Sequence, residues 1–163
     1  MYRSVRLPDG IAGRLYLGSM PGRYEVFQEA WRAIVQHGIE RVICLVPPDE
    51  LSDKSPLYAR ALKERRTPWV HESFPVEDLE APADRDAFWT LARETARRLA
   101  EGETILVHCA AGIGRTGTFA VCVLLALGLT AAVAGAAVRS TGSGPQNRAQ
   151  EEVVHWAAGL DPG

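Results

Sequence analysis

Residues Thr104 to Gly117 read TILVHCAAGIGRTG. Thr104 to Val107 is a short, β-branched, apolar run of the kind that forms a buried strand. From Thr116 onward, TGTFAVCVLLAL is apolar at helical spacing, so the residues from Cys109 to Arg115 join a strand to a helix N-terminus. Such a junction turns backbone N–H groups outward. Gly112, Gly114 and Gly117 allow positive φ and close backbone approach, so successive N–H groups can line a concavity to which the helix macrodipole adds partial positive charge. A dianion such as a phosphoryl group suits that place, held by the backbone of Ala110, Ala111, Gly112, Ile113, Gly114 and Arg115.

The loop also carries two reactive ends. Thiols at helix N-termini beside cations titrate at roughly 3.5 to 7.5, against about 8.5 for a free cysteine, so the placement predicts that Cys109 rests as a thiolate nucleophile. Arg115 presents a planar fork that can grip two phosphoryl oxygens, which a lysine would meet only as a point charge. Thr116 offers a hydroxyl that could donate to the sulfur and ease its departure as a leaving group. His108 points the opposite way along the strand and is expected to order the loop.

The pattern Cys-x5-Arg-Thr within HCxxGxxRTG resembles that of the cysteine-dependent protein tyrosine phosphatases. The order RLYLGSMPG, HGIERVICLVPPDEL, SFPVEDLEAP, HCAAGIGRTG and GSGPQ, from Arg14 to Trp156, is most similar to the kinase-associated branch of the dual-specificity members and its prokaryotic relatives. The resemblance implies a protein phosphatase acting on phosphotyrosine, and on phosphoserine or phosphothreonine as well, because no segment corresponds to the loop that deepens the pocket of tyrosine-specific members. Ala110, Ala111 and Ile113 stand where phosphoinositide-specific relatives carry lysines, which disfavours a lipid headgroup. The family's general acid is an aspartate on a loop upstream of the cysteine. Pro75-Val76-Glu77-Asp78 followed by Pro82 falls on that pattern, so Asp78 is the expected acid and Glu77 its rival, with a helix that Pro82 can start. The family also uses a glutamine after a Gly-rich turn to position the hydrolytic water. Gln146 is favoured for that role over Gln150, and Arg139 and Arg148 are candidates for the border of the substrate mouth. Two other readings stay open: a pseudophosphatase that binds phosphorylated partners without turnover, and a rhodanese-type sulfur transferase, whose loops also cradle a thiolate.

The remainder of the 163 residues is consistent with one catalytic domain, residues 1–163, with 47% hydrophobic residues supplying a real core. A net charge of −2 gives no basic footprint for nucleic acid. Cys44, Cys109 and Cys122 have no metal-ligand spacing, and His37, His71 and His155 are scattered, so no metal and no cofactor is expected. The free thiols favour a reducing compartment, hence a cytoplasmic protein. Cys44 and Cys122 are expected to be small core residues, although either could pair with an oxidised Cys109. Tyr2 to Gly13 lacks the apolar segment of a signal peptide. The 23 uncharged residues Thr116 to Val138 are long enough to span a bilayer. A span there would drag the cysteine loop into lipid, and Leu127-Gly128-Leu129-Thr130 reads as a turn with Thr130 as the next N-cap, so two buried helices and no membrane association are expected.

Strands are expected at Arg14–Gly18, Arg41–Val46 and Trp69–Phe74, and helices at Tyr24–Gln36, Pro56–Arg66 and Asp84–Glu101. Trp31, Trp69, Trp89 and Trp156 should pack at the core edge. Alternating strands and helices imply an α/β fold with a central, mainly parallel sheet covered on both faces, like that of the protein tyrosine phosphatases. The cysteine loop would then sit at the carboxyl end of a central strand, where open α/β sheets bind ligands.

Overall fold

The computed structural model describes residues 1–160. Five strands form one sheet: β1 (Arg3–Val5), β2 (Arg14–Gly18), β3 (Arg41–Cys44), β4 (Val70–Ser73) and β5 (Thr104–His108), in the order β1-β2-β5-β3-β4. β5 runs parallel to both β2 and β3, and β3 parallel to β4, while β1 alone is antiparallel, pairing Arg3 to Leu17 and Val5 to Leu15. The fold is therefore the expected α/β architecture with a mainly parallel sheet. The last strand in chain order lies in its centre, so its Ile105, Leu106 and Val107 are fully buried. A continuous apolar run is what a strand covered on both faces requires.

Among the described residues seven helices pack around it: α1 (Phe27–Gln36), α2 (Pro48–Lys54), α3 (Pro56–Lys63), α4 (Arg85–Ala100), α5 (Gly114–Ala126), α6 (Ala131–Arg139) and α7 (Arg148–Ala158). α5 is buried along nearly its whole length, with α4, α6 and α7 packed against it. Phe119 on α5 meets Phe88 on α4 edge-on, with ring centroids 5.2 Å apart. Each such fully buried large side chain contributes about 1.5–3 kcal/mol. Against other strand residues, Tyr58 of α3 meets His108 and also Phe27 of α1. Among the described residues no helix is long and apolar enough to cross a membrane. The uncharged stretch is split at Leu127–Thr130, where Thr130 caps α6 by accepting from the Val133 N–H at 3.3 Å.

Several element boundaries differ from expectation for identifiable reasons. α1 starts at Phe27, not Tyr24, because Gly22 at φ 84° and the Arg23 N–H to Met20 carbonyl bond form a turn first. α4 is started not by Pro82 but by Asp84, whose carboxylate accepts from the Ala87 N–H at 3.0 Å. β3 ends at Cys44, though Leu45 still donates to His108 and accepts from Val76. The chain before Pro56 holds an unexpected short helix, α2, begun by Pro48 at its first turn, and β1 was equally unforeseen. Trp69 and Trp89 are buried outright, whereas Trp31 and Trp156 sit at the core edge.

Candidate active site

The parallel strands β2, β5, β3 and β4 all deliver their carboxyl ends to one rim, and the loop between β5 and α5 lies there. Cys109 is almost wholly buried, and its Sγ accepts from the Gly112 N–H at 3.3 Å. That contact depends on Gly112 having φ 76°, and a Cβ on Gly112 would collide with the backbone of Gly18. The Gly112 carbonyl is fixed from outside by Arg3 Nη2 at 2.7 Å and Ser143 Oγ at 2.6 Å. In a trans peptide the carbonyl and the following N–H point opposite ways, so these two bonds turn the Ile113 N–H away from Arg3 and Ser143. The loop's far end is tied by Gly117 and Gly144 N–H groups, which both donate to the Ile113 carbonyl.

Arg115, only 3% exposed, is oriented by three groups from two segments, α2 and the loop after β4. Its Nη1 donates to the Val76 carbonyl at 2.8 Å, and its Nη2 lies 3.1 Å from Glu50 Oε2 and 3.2 Å from Asp78 Oδ1. The geometry thus separates the two rival carboxylates. Asp78 borders the same cavity as Cys109, exposed on its outer side and paired with Arg115, while Glu77 is exposed and outside it. Gln146 lines the cavity with Cys109, whereas Gln150 is buried behind it, its Oε1 accepting from the Gln146 N–H at 2.9 Å. The cavity encloses about 200 Å³ between Cys109, Ala110, Ala111, Gly114 and Arg115 on its floor and Asp78, Leu79, Arg23 and Gln146 around it. Larger surface grooves exist, such as one of about 440 Å³ beside Phe27, Trp31 and Leu57, but a cysteine lines none of the four larger ones.

Thr116 departs from expectation. Among the described residues its buried hydroxyl has no hydrogen-bond partner, and the donor to the Cys109 sulfur is the Gly112 N–H instead. The arginines expected at the mouth are also elsewhere: Arg148 is exposed and pairs with Glu152 at 3.0 Å, and Arg139 lies along Gly135 and Gly144. Arg23 lines the cavity in their place, its guanidinium 4.6 Å from the Tyr24 ring centroid.

His108 is fully buried beneath the loop. Its Nδ1 lies 2.9 Å from the Cys109 carbonyl, which can only accept, so Nε2 accepts from the Tyr58 hydroxyl at 3.0 Å. Burial pulls its pKa down to about 4 and also lowers that of His71. Burial pushes the Cys44 and Cys122 thiols up to about 12, which suits packed core residues. No group of three or more metal-ligating side chains occurs among the described residues. Glu50, Arg3, Ser143 and Arg23 had not stood out in the sequence. Each reaches the site from a separate segment, and none carries a local motif.

A family model described as "Swiss Army Knife protein, DSP-PTPase phosphatase domain" matches residues 12–157, and the chain belongs to this dual-specificity phosphatase family. Among solved structures, kinase associated phosphatase with serine in place of its catalytic-site cysteine aligns with a TM-score of 0.81 at 20% identity, covering 95% of this chain and 92% of that one. Tk-PTP in its active form aligns with a TM-score of 0.71 at 27% identity, over 91% of this chain and 93% of the other. Receptor-type tyrosine-protein phosphatase V of Rattus norvegicus is 45% identical over 53 residues, 32% of this chain. The chain spans 9% and 3% of the lengths of the curated relatives it matches.

Proposed function

We propose that the chain hydrolyses phosphomonoesters on proteins, phosphotyrosine and also phosphoserine or phosphothreonine, through a cysteinyl-phosphate intermediate. The observation that carries this reading is the convergence of the Cys109 thiol, the Arg115 guanidinium and the Asp78 carboxyl on one small cavity. In the first step the Cys109 sulfur attacks phosphorus in line and the P–O ester bond breaks. The backbone N–H groups from Ala110 to Arg115 and the Arg115 guanidinium stabilise the transferring PO3 group, and Asp78, entering as the acid, gives its proton to the leaving oxygen. In the second step a water held by Gln146 attacks phosphorus, Asp78 takes the water's proton, and the P–S bond breaks. The Gly112 N–H already donates to the sulfur, and Thr116, whose buried hydroxyl makes no bond among the described residues in the resting site, would turn to donate to that sulfur as it departs. Every group named belongs to the chain, so the scheme calls on no cofactor and no metal. The partner is a phosphorylated protein in the cytoplasm, with neither nucleic acid nor membrane involved.

The test is phosphate release from p-nitrophenyl phosphate and from phosphotyrosyl, phosphothreonyl and phosphoinositide substrates compared by kcat/KM. Cys109→Ser should abolish turnover while phosphate-ester binding persists. Binding without hydrolysis by the wild-type chain would establish the pseudophosphatase, and transfer of sulfur from thiosulfate would establish the rhodanese-type alternative. Preference for the phosphoinositide would move the substrate from protein to lipid.

A further inference from the structure

Asp78 sits in a turn that is under backbone strain. The turn is closed by the Glu80 N–H donating to the Glu77 carbonyl at 3.0 Å, and its third residue, Leu79, has φ 63°. A turn with positive φ at that position normally carries glycine or asparagine, because an L side chain there crowds its own backbone. The Leu79 side chain is 61% exposed, so core packing does not hold it in place. Strain of this kind persists only where the surroundings over-determine it, and it gathers at functional sites.

The restraint comes from the first turn of α7. Asn147 Nδ2 donates to the Leu79 carbonyl at 2.6 Å, and Gln150 Nε2 donates to the next carbonyl, that of Glu80, at 3.3 Å. The same two side chains organise the segment that bears Gln146. Asn147 Oδ1 caps α7 by accepting from the Gln150 N–H at 3.0 Å, and Gln150 Oε1 accepts from the Gln146 N–H at 2.9 Å. One amide therefore serves two loops, its oxygen toward the helix and its nitrogen toward the turn behind Asp78. The Asn147 sequence separation from Leu79 is 68 residues, so this bond is not a by-product of local turn geometry.

We propose that Asn147 is a positioning residue that latches the Asp78 turn beside Cys109 through the Leu79 carbonyl, and so couples the acid to the segment that presents Gln146. The proposal rests on the reading of Asp78 as the general acid. A latched Asp78 matters most where the leaving oxygen needs a proton. Phenol leaves poorly without one, whereas p-nitrophenol leaves with far less help, so loss of the latch must weigh more on phenyl phosphate than on p-nitrophenyl phosphate. General acid catalysis contributes typically 10² to 10⁴-fold, of which partial mispositioning should remove about tenfold.

The test uses Asn147→Ser and Asn147→Asp in the full chain. Each keeps a side-chain oxygen that can cap α7, and neither retains the amide donor that reaches Leu79. The expected result for both is a fall of about tenfold in kcat/KM on phenyl phosphate, a fall below about threefold on p-nitrophenyl phosphate, and a melting temperature close to wild type. Asp78→Asn is measured alongside and should show the same leaving-group split, larger in size. If Asp78→Asn shows the split and the Asn147 variants lower both substrates in equal proportion, or neither, the latch is refuted and the acid stands. If Asp78→Asn itself shows no split, the acid assignment falls and the latch falls with it.

Discussion

Replacement of His108 by asparagine should flatten the acid side of the stability profile. His108 is fully buried, with Nδ1–H donating to the Cys109 carbonyl and Nε2 accepting from the Tyr58 hydroxyl, itself fully buried. A second proton on the ring would turn Nε2 into a donor facing a donor, in a place water cannot reach. Burial, the largest cause, accordingly lowers its pKa to about 4. An unfolded histidine titrates near 6.5, so between about pH 6.5 and 4 the unfolded chain holds a proton that the folded chain refuses. Folding stability from this group is complete above pH 6.5 and is lost as pH falls toward 4. At about 1.4 kcal/mol per pH unit the loss is roughly 3 kcal/mol. His71, also lowered by burial, acts in the same direction, so the His108→Asn variant should lose only the His108 share of the slope. Urea unfolding followed by tryptophan fluorescence from pH 4.5 to 8 measures it. The introduced amide would keep a donor for the Cys109 carbonyl and strand the Tyr58 hydroxyl, so the variant is expected to be about 1–3 kcal/mol less stable at neutral pH. Its stability should nonetheless approach that of wild type as pH falls. Parallel curves for the two proteins would refute the argument.

Three further outcomes follow from the geometry. Gly112→Ala should cost about 100-fold or more in kcat/KM on p-nitrophenyl phosphate with helix content by circular dichroism retained, because a Cβ at φ 76° would push the loop off Gly18 and shift the N–H that meets the sulfur. Glu50→Ala should destabilise the chain by about 3 kcal/mol in chemical denaturation, the low end for breaking a buried ion pair, since Asp78 still reaches Arg115. Arg3→Gln should lower kcat/KM about tenfold, through loss of the bonds to the Gly112 and Thr141 carbonyls and the misplacement that follows; unchanged kinetics would show that Ser143 alone fixes the loop.

The parts of the fold legible in the sequence are those written in contiguous residues. β5, the cysteine loop and α5 were readable because a buried strand, a glycine-bearing turn and an apolar helix each leave a local pattern, and Thr130 announces its cap in one residue. The parts that were not legible are those whose stability is borrowed. β1 is only Arg3–Val5, with no period to detect, and it exists because β2 offers it a free edge. α2 is seven residues with no apolar face of its own beyond Leu51. It forms because Pro48 presets its first turn and because α3 follows at once.

The site divides along the same line, between what one short loop carries and what distant segments bring to it. Cys109 and Arg115 lie on one short loop, so their partnership is fixed by local backbone geometry. Arg115, however, is buried, and a buried guanidinium must be compensated by whatever the fold brings near. Here that is Glu50 from α2, Asp78 from the turn before α4 and the Val76 carbonyl between them. Spacing alone could not choose between Glu77 and Asp78, because adjacent residues differ only in the direction the backbone gives their side chains. In the structure Asp78 pairs with Arg115 at the cavity while Glu77 stays outside it, and in the turn that carries both they are followed by Leu79 at φ 63°, whose carbonyl accepts from Asn147, 68 residues away. What distinguishes one acidic residue from its neighbour at this site is therefore a contact with a buried guanidinium far along the chain, which composition and periodicity do not record.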